Sequence, residues 1–239
     1  MHLCYTILMP IPLVIAHRGD SSNALENSLG SIRRALSLSV DMIEIDIRRS
    51  RDNGLYVMHD KLTGRTAGMN IDIERAASDK IAKVRLRNNE PVPTLADVLG
   101  LVAGKCGLNL EIKSSGAGTL TAQYLLSSGY QGRILVSSFR EDEIDAARRA
   151  MPLLQTSLIF DVFTVHKVPS YKIRGYNVIS LRAKTVNQGL VDVCHEQGLQ
   201  VYVWTVDEAD EMRKFISWSV DGIYSNKPAV LKHLLEGQG

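Results

Sequence analysis

Short apolar runs and segments of helical periodicity alternate along this chain almost from end to end. The runs read as strands at Leu13–His17, Met42–Arg48, Leu108–Lys113, Arg133–Ser137, Gln155–Phe160, Val178–Leu181, Gln200–Thr205 and Gly222–Tyr224. Between most of them apolar residues recur at three- and four-residue spacing, as in Ser28–Leu38, Thr94–Ala103, Thr119–Ser127, Glu141–Ala150 and Val186–Gln197. Gly104, Gly129 and Gly198 each follow such a segment, in the position of a C-terminal cap. Alternation of this kind implies parallel strands joined by right-handed crossovers. Eight strands in 239 residues, with no GxGxxG loop, favour an α/β fold of the closed (β/α)8 TIM-barrel type over a doubly wound sheet.

One stretch breaks the rhythm. About sixty residues separate the second and third barrel strands, too many for one helix. Asp52-Asn53-Gly54 is a turn signal, and Leu55–His59 then reads as a returning strand. The segment from Lys61 to Pro93 is polar and weakly periodic, and ends in Pro91-Val92-Pro93. It is expected to form a small insertion, at about 61–93, over one barrel mouth, with the chain 1–239 otherwise a single domain.

Composition narrows the function classes. A formal charge of +2 and the lack of any Lys/Arg-rich run give no field suited to nucleic acid. Cys4, Cys106 and Cys194 lie far apart with no CxxC spacing, and are expected to be reduced and buried, as in a cytoplasmic protein. Residues Leu3 to Ala16 are mostly apolar, but no basic region precedes them, Pro10 and Pro12 interrupt them, and no small-residue cleavage site follows. No stretch of 18 or more apolar residues occurs, so no stable membrane association is expected.

The chemistry concentrates on two strands. In Met42-Ile43-Glu44-Ile45-Asp46-Ile47-Arg48, isoleucines alternate with charges, which puts Glu44 and Asp46 on one face about 7 Å apart. On an antiparallel sheet that face would simply meet water. In a parallel barrel both faces are covered, and two unpaired interior carboxylates would cost several kcal/mol each. Leu108-Asn109-Leu110-Glu111-Ile112-Lys113 repeats the pattern, with Glu111 and Lys113 on one face. A locally neutralised Glu–Lys pair is the plain reading of that strand. Three carboxylates from neighbouring strands suit one hard, oxygen-liking cation, Mg2+ or Ca2+, better than zinc, which recruits His or Cys. His17 ends the first strand and His59 ends the returning one, near the acidic strand in sequence. A lone histidine is usually structural, but two titrating near neutrality can act as acid and base in one cycle. Arg18 and Lys113 offer the positive charge a phosphoryl group needs, and Gly19 would let the backbone approach a ligand closely. His2, His166, His195 and His233 have no such company and read as surface or structural.

These residues, taken together, resemble the glycerophosphodiester phosphodiesterase family. The matching pieces are His17-Arg18-Gly19, Glu26-Asn27-Ser28, Glu44-Ile45-Asp46, His59-Asp60-Lys61-Leu62, Pro93-Thr94-Leu95, Glu111-Ile112-Lys113, Ser137-Ser138-Phe139, Val203-Trp204-Thr205 and Val220-Asp221-Gly222-Ile223. Each is weak alone; nine in family order along nearly the whole chain are not. The resemblance implies a (β/α)8 barrel with an insertion after the second strand, and Glu44, Asp46 and Glu111 as ligands of one divalent cation. It also implies His17 and His59 as the catalytic acid/base pair, Arg18 and Lys113 on the phosphate, Trp204 in the substrate pocket, and Glu26 and Asn27 as supports for the site. The reaction implied is hydrolysis of a small-molecule glycerophosphodiester to glycerol 3-phosphate and an alcohol, in lipid and glycerol metabolism. The chain departs from the family pattern at Leu25, where Pro usually precedes Glu-Asn, and at Ser225-Asn226, where the family tends to show Thr-Asp.

Rival readings are a lipid-directed lysophospholipase D or sphingomyelinase D-like enzyme on the same site, another metal-dependent barrel enzyme such as an enolising lyase, and a barrel that binds a phosphodiester without cleaving it. The first would need an apolar rim at the barrel mouth. An intact histidine pair speaks against the last. Homodimerisation is left open by the sequence.

Overall fold

The computed structural model describes residues 11–237; Cys4 and His2 lie outside the described residues. In chain order the elements are β1 (Leu13–His17), α1 (Leu29–Ser37), β2 (Met42–Arg49), β3 (Leu55–Val57), α2 (Ser78–Ile81), α3 (Leu95–Val102), β4 (Gly107–Ile112), α4 (Ala117–Ser128), β5 (Ile134–Ser138), α5 (Glu141–Ala150), β6 (Gln155–Phe160), α6 (Val168–Ile173), β7 (Val178–Arg182), α7 (Gln188–Glu196), β8 (Gln200–Trp204), α8 (Ala209–Ser217), β9 (Gly222–Ser225) and α9 (Pro228–Glu236). All strands but β3 pair in parallel, β1 with both β2 and β9, so the sheet closes into an eight-stranded barrel. The (β/α)8 architecture read from the alternation is therefore the observed one.

The outward faces of the strands carry the main core. Val14, Ala16, Ile43, Ile45, Ile47, Leu108, Leu110 and Val136 are buried against the surrounding helices. Inside, the lower end of the barrel is filled by Ile15, Met42, Leu135, Val178, Tyr202 and Tyr224. Above that plug the inward positions turn polar, which is where this fold opens toward its C-terminal mouth.

Register sets the heights of the polar residues. His17 is level with Glu44, Glu44 with Asn109, and Asp46 with Glu111. Strand β2 rises above the end of β1, and β3 doubles back along the edge so exposed. The Asp46 carbonyl accepts from Met58 N on that edge, while the next carbonyl, of Ile47, accepts from Lys113 N on the opposite one. The returning strand is shorter than the sequence implied: it ends at Val57, and His59 lies two residues beyond it. Past Met58 the ladder gives way to the Arg48 guanidinium, whose Nε and Nη2 donate to the His59 carbonyl at 2.9 and 2.6 Å.

Residues 61–93 are less polar in effect than in composition. Ala67, Ile71, Ile73, Ala76, Ile81, Val84, Leu86 and Val92 join Tyr56 and Met58 in a buried cluster separate from the main core. Helix-scale periodicity is absent there because turns and a four-residue helix, not long elements, bring these side chains together. No helix of the described residues is long and apolar enough to cross a membrane. Cys194 is buried as expected, but Cys106 is only half-buried; both are free thiols.

Gly19 has a different task from the one its sequence suggested. At φ +82° it turns the chain from β1 back onto α1, and a Cβ there would stand 2.5 Å from Ser31 Oγ and 2.6 Å from the Ser31 carbonyl carbon. The close approach is to the protein's own helix. Gly19→Ala is therefore expected to destabilise the fold by about 1 kcal/mol or more, read as a lower urea midpoint at unchanged m; an unchanged midpoint would contradict this packing.

Candidate active site

Three carboxylates converge on the inner wall near the mouth. Glu44 and Asp46 from β2 and Glu111 from β4 are all buried, and each offers an oxygen lying within 4.8 Å of the others. Their partners are mostly cations. Arg18 follows directly on β1, with φ +57°; its backbone N donates to Glu44 Oε2 at 2.8 Å, and its Nε lies 3.3 Å from Asp46 Oδ2. Lys113 Nζ sits 3.1 Å from Asp46 Oδ1 and bonds to Glu111 Oε1. Arg18 and Lys113, expected at the phosphate, thus stand among the acids as well as on the cleft wall.

Burial governs how these groups hold protons. Burial first, then repulsion from Asp46, pushes Glu44 up to about 8 and Glu111 up to about 7. Burial acts on Asp46 in the same direction, but Lys113 and then Arg18 outweigh it and hold this carboxylate at about 2. Glu44 Oε1 is buried with no hydrogen-bond partner among the described residues. An orphaned carboxylate oxygen beside two more carboxylates is the environment a divalent cation would satisfy. The three residues fit that ion.

The supports expected from sequence lie next to this centre. Asn27, in a left-handed conformation, donates from Nδ2 to Asp46 Oδ2 at 2.7 Å and accepts from Asp46 N at 3.2 Å. Glu26 takes Arg18 Nη1 at 2.9 Å on one side and both Nη atoms of Arg65 on the other. Arg65, from the 61–93 segment, also donates from Nε to Asp60 Oδ2.

Both histidines reach the same cleft. His17 Nδ1 lies 2.8 Å from Asn226 Oδ1, and its Nε2 lies 4.0 Å from Glu44 Oε2. His59 Nδ1 lies 2.7 Å from Asp60 Oδ1. Burial lowers both histidines; Arg18 adds to the effect at His17, while Asp46 and Asp60 work against it at His59. The far wall carries Trp204 and Phe139, edge to face with centroids 5.5 Å apart. Trp204 Nε1 is a buried donor with no partner among the described residues, placed beside the cleft. His195, by contrast, bonds Asp221 at 2.8 Å away from this site, and His166 and His233 are exposed.

Several residues in or behind the cleft were not singled out from sequence. Asn109 shares the Glu111 face of β4 and donates to Tyr224 OH at 2.9 Å; the two-residue alternation on that strand was the available signal. Phe139 stood in a matching motif but had no assigned task. Asp207 bonds Asn226 from the loop after β8, and nothing in its local sequence marks it.

A model of the glycerophosphoryl diester phosphodiesterase family matches residues 17–230 of this chain. The chain is 29% identical over 241 residues to the glycerophosphodiester phosphodiesterase of Caldanaerobacter subterraneus subsp. tengcongensis, covering 95% of this chain and 99% of that one. It superposes on a glycerophosphodiester phosphodiesterase from Parabacteroides distasonis with a TM-score of 0.85 at 25% identity, covering 96% and 98% of the two chains. A phosphodiesterase of Oleispira antarctica, solved in complex with its product sn-glycerol-3-phosphate, gives a TM-score of 0.87 at 21% identity over 95% and 97%.

The carboxylates make stability depend on pH in a definite direction. Glu44 and Glu111 hold protons more tightly in the folded protein than at their ordinary value of 4.5, so between that value and about 7 to 8 the folded state binds more protons. Stability of the cation-free protein should then fall as pH rises through that window. Asp46 acts oppositely, with its contribution lost only as pH falls toward about 2. Thermal unfolding in EDTA should show a midpoint declining from about pH 6.5 to 8, above the range in which the lowered histidines oppose the trend, and a saturating divalent cation should flatten the decline and raise the midpoint. A flat profile in EDTA would contradict the charge arrangement described.

Proposed function

The chain belongs to the glycerophosphoryl diester phosphodiesterase family and is an enzyme that hydrolyses glycerophosphodiesters; we propose that it does so with His17 and His59 as an acid/base pair beside one divalent cation, Mg2+ or Ca2+, held by Glu44, Asp46 and Glu111. The observation that carries this reading is that Glu44, Glu111 and both histidines line one cleft at the barrel mouth, with Asp46 buried beside the two glutamates. A cation bound there supplies charge stabilisation to the phosphoryl oxygens. Arg18 and Lys113, already on the cleft wall, hold the phosphate, Arg18 by its planar fork and Lys113 as a point charge. One histidine takes the proton of the nucleophile, water or the substrate's own glycerol hydroxyl, and the other gives a proton to the departing alcohol oxygen. Trp204 closes the substrate side and offers its indole N–H. Asn27 orients Asp46, and Glu26 orients Arg18. The whole works as one cytoplasmic domain with residues 61–93 as a small insertion that contributes Arg65 to the Glu26 contact.

A second reading, a lipid-directed phosphodiesterase on the same site, draws support from the rim. Phe139 lines the cleft yet is 46% exposed, and Leu62 and Met69 expose 51% and 47% of their surfaces on the 61–93 segment. Lysophosphatidylcholine and glycerophosphocholine, offered at equal concentration, separate the two readings by the ratio of their turnover.

Purified protein given glycerophosphocholine with Mg2+ or Ca2+ should release glycerol 3-phosphate, and EDTA should stop it. His17→Ala and His59→Ala should each lower kcat by about 10²-fold or more. Near-normal turnover in either variant would remove that histidine from the mechanism, and release unaffected by EDTA would remove the cation.

A further inference from the structure

Each histidine at the cleft has a partner at Nδ1, but the partners differ. His59 meets a carboxylate directly, at Asp60. His17 meets a side-chain amide, which presents either an acceptor or a donor depending on which way round it sits.

A second side chain settles the orientation of that amide. Asp207 Oδ1 accepts from Asn226 N at 2.7 Å and from Ser225 Oγ at 3.1 Å, so the carboxylate is pinned from the end of β9 and the residue after it. Its Oδ2 stands 2.7 Å from Asn226 Nδ2. A carboxylate accepts and does not donate, so the amide must turn its NH2 toward Asp207 and its oxygen toward His17. Ser21 Oγ, 2.8 Å from the same oxygen and 2.8 Å from the His17 carbonyl, is placed to donate to it as well. With an oxygen facing Nδ1, His17 carries its ring proton on Nδ1, and its Nε2 turns a lone pair toward the acid cluster.

We infer that Asn226 and Asp207 are positioning residues that hold His17 in its Nδ1–H tautomer, so that Nε2 is the nitrogen that exchanges protons with the substrate. The inference rests on His17 belonging to the acid/base pair. When an attacking hydroxyl gives up its proton, the O–H bond breaks, the electron pair stays on oxygen, and the proton goes to Nε2 while Nδ1–H remains on Asn226. A ring held in the other tautomer would present an N–H to that hydroxyl and have nowhere to put the proton. The departure from the family pattern at Ser225-Asn226 therefore keeps an acceptor on His17, with its charge moved one side chain away to Asp207.

The geometry predicts a reciprocal test. In Asp207→Asn, Oδ1 must stay on Asn226 N, so the new NH2 faces Asn226 and turns its amide over, forcing the Nε2–H tautomer. The swap Asp207→Asn with Asn226→Asp restores every hydrogen bond. The amide introduced at position 207 then donates to the carboxylate introduced at position 226, and that carboxylate accepts from His17. The single change should lower kcat on glycerophosphocholine by on the order of 10²-fold with KM and cation affinity within about twofold, and the swap should recover most of the loss. Asn226→Leu should behave like the single change. Nitrogen-15 shifts of the His17 ring should show Nδ1 protonated in the parent and the swap, and Nε2 protonated in Asp207→Asn. A parent enzyme with Nε2 protonated, or a well-folded Asp207→Asn with normal kcat, or a swap no better than the single change, overturns the inference. The ring-nitrogen readout does not need activity, so it decides the tautomer even if His17→Ala turns over normally and the acid/base reading of His17 falls.

Discussion

Strands β2 and β4 turn three carboxylates into the interior of a closed barrel, and much of the surrounding structure answers that charge. Parallel barrel strands are ordinarily apolar on both faces. Here the outward faces keep that character, with Ile43, Ile45 and Ile47 fully buried, while the inward faces of the same strands are acidic. Arg18 and Lys113 are drawn into the cluster as partial compensation, and Asn27 fixes the most acidic of the three, Asp46, by two hydrogen bonds. What remains unmatched, above all Glu44 Oε1, is the share left for a cation. Stability and chemistry are thus coupled at the same atoms.

The difference in height between β1 and β2 determines how the histidines come to face that cluster. Because β2 continues upward after β1 has ended, one edge of β2 is unpaired above His17, and β3 occupies it running in the opposite sense. One histidine therefore arrives at the end of a rising strand and the other just past a descending one. Arg48 takes over the missing ladder contact at His59, and the Arg65–Glu26–Arg18 run of ion pairs ties the descending segment to the loop after β1.

Much of this was legible in the sequence because it follows from periodicity. Alternation of strands and helices led to the barrel, and the two-residue repeat in Glu44-Ile45-Asp46 and Glu111-Ile112-Lys113 placed side chains on one face without any knowledge of their neighbours. What the sequence hid was of two kinds. The core of residues 61–93 is assembled from turns, which carry no period, so Ile71, Ile73 and Val84 looked like scattered apolar residues in a polar segment. The Asp207–Asn226–His17 chain joins residues up to 209 positions apart through side-chain hydrogen bonds, and no local pattern reports such a contact. Gly19 illustrates a third case: the residue type was informative, but whether its bare backbone faced a ligand or Ser31 depended on the packing of α1.

The three carboxylates and His59 stand on unequal foundations. Glu44, Asp46 and Glu111 grow from barrel strands embedded in the main core, whereas His59 leads into a segment whose side chains pack into a small cluster of their own. Units of a fold with few buried apolar contacts open at lower free energy than the body they rest on. Mild heat or denaturant would then lift the smaller unit first, carrying His59, Asp60 and Arg65 away from the cleft while the acidic wall stayed intact. The molecule in that condition would keep its acidic wall and lose the opposite side of the cleft, so that the two sides part in separate events of its unfolding.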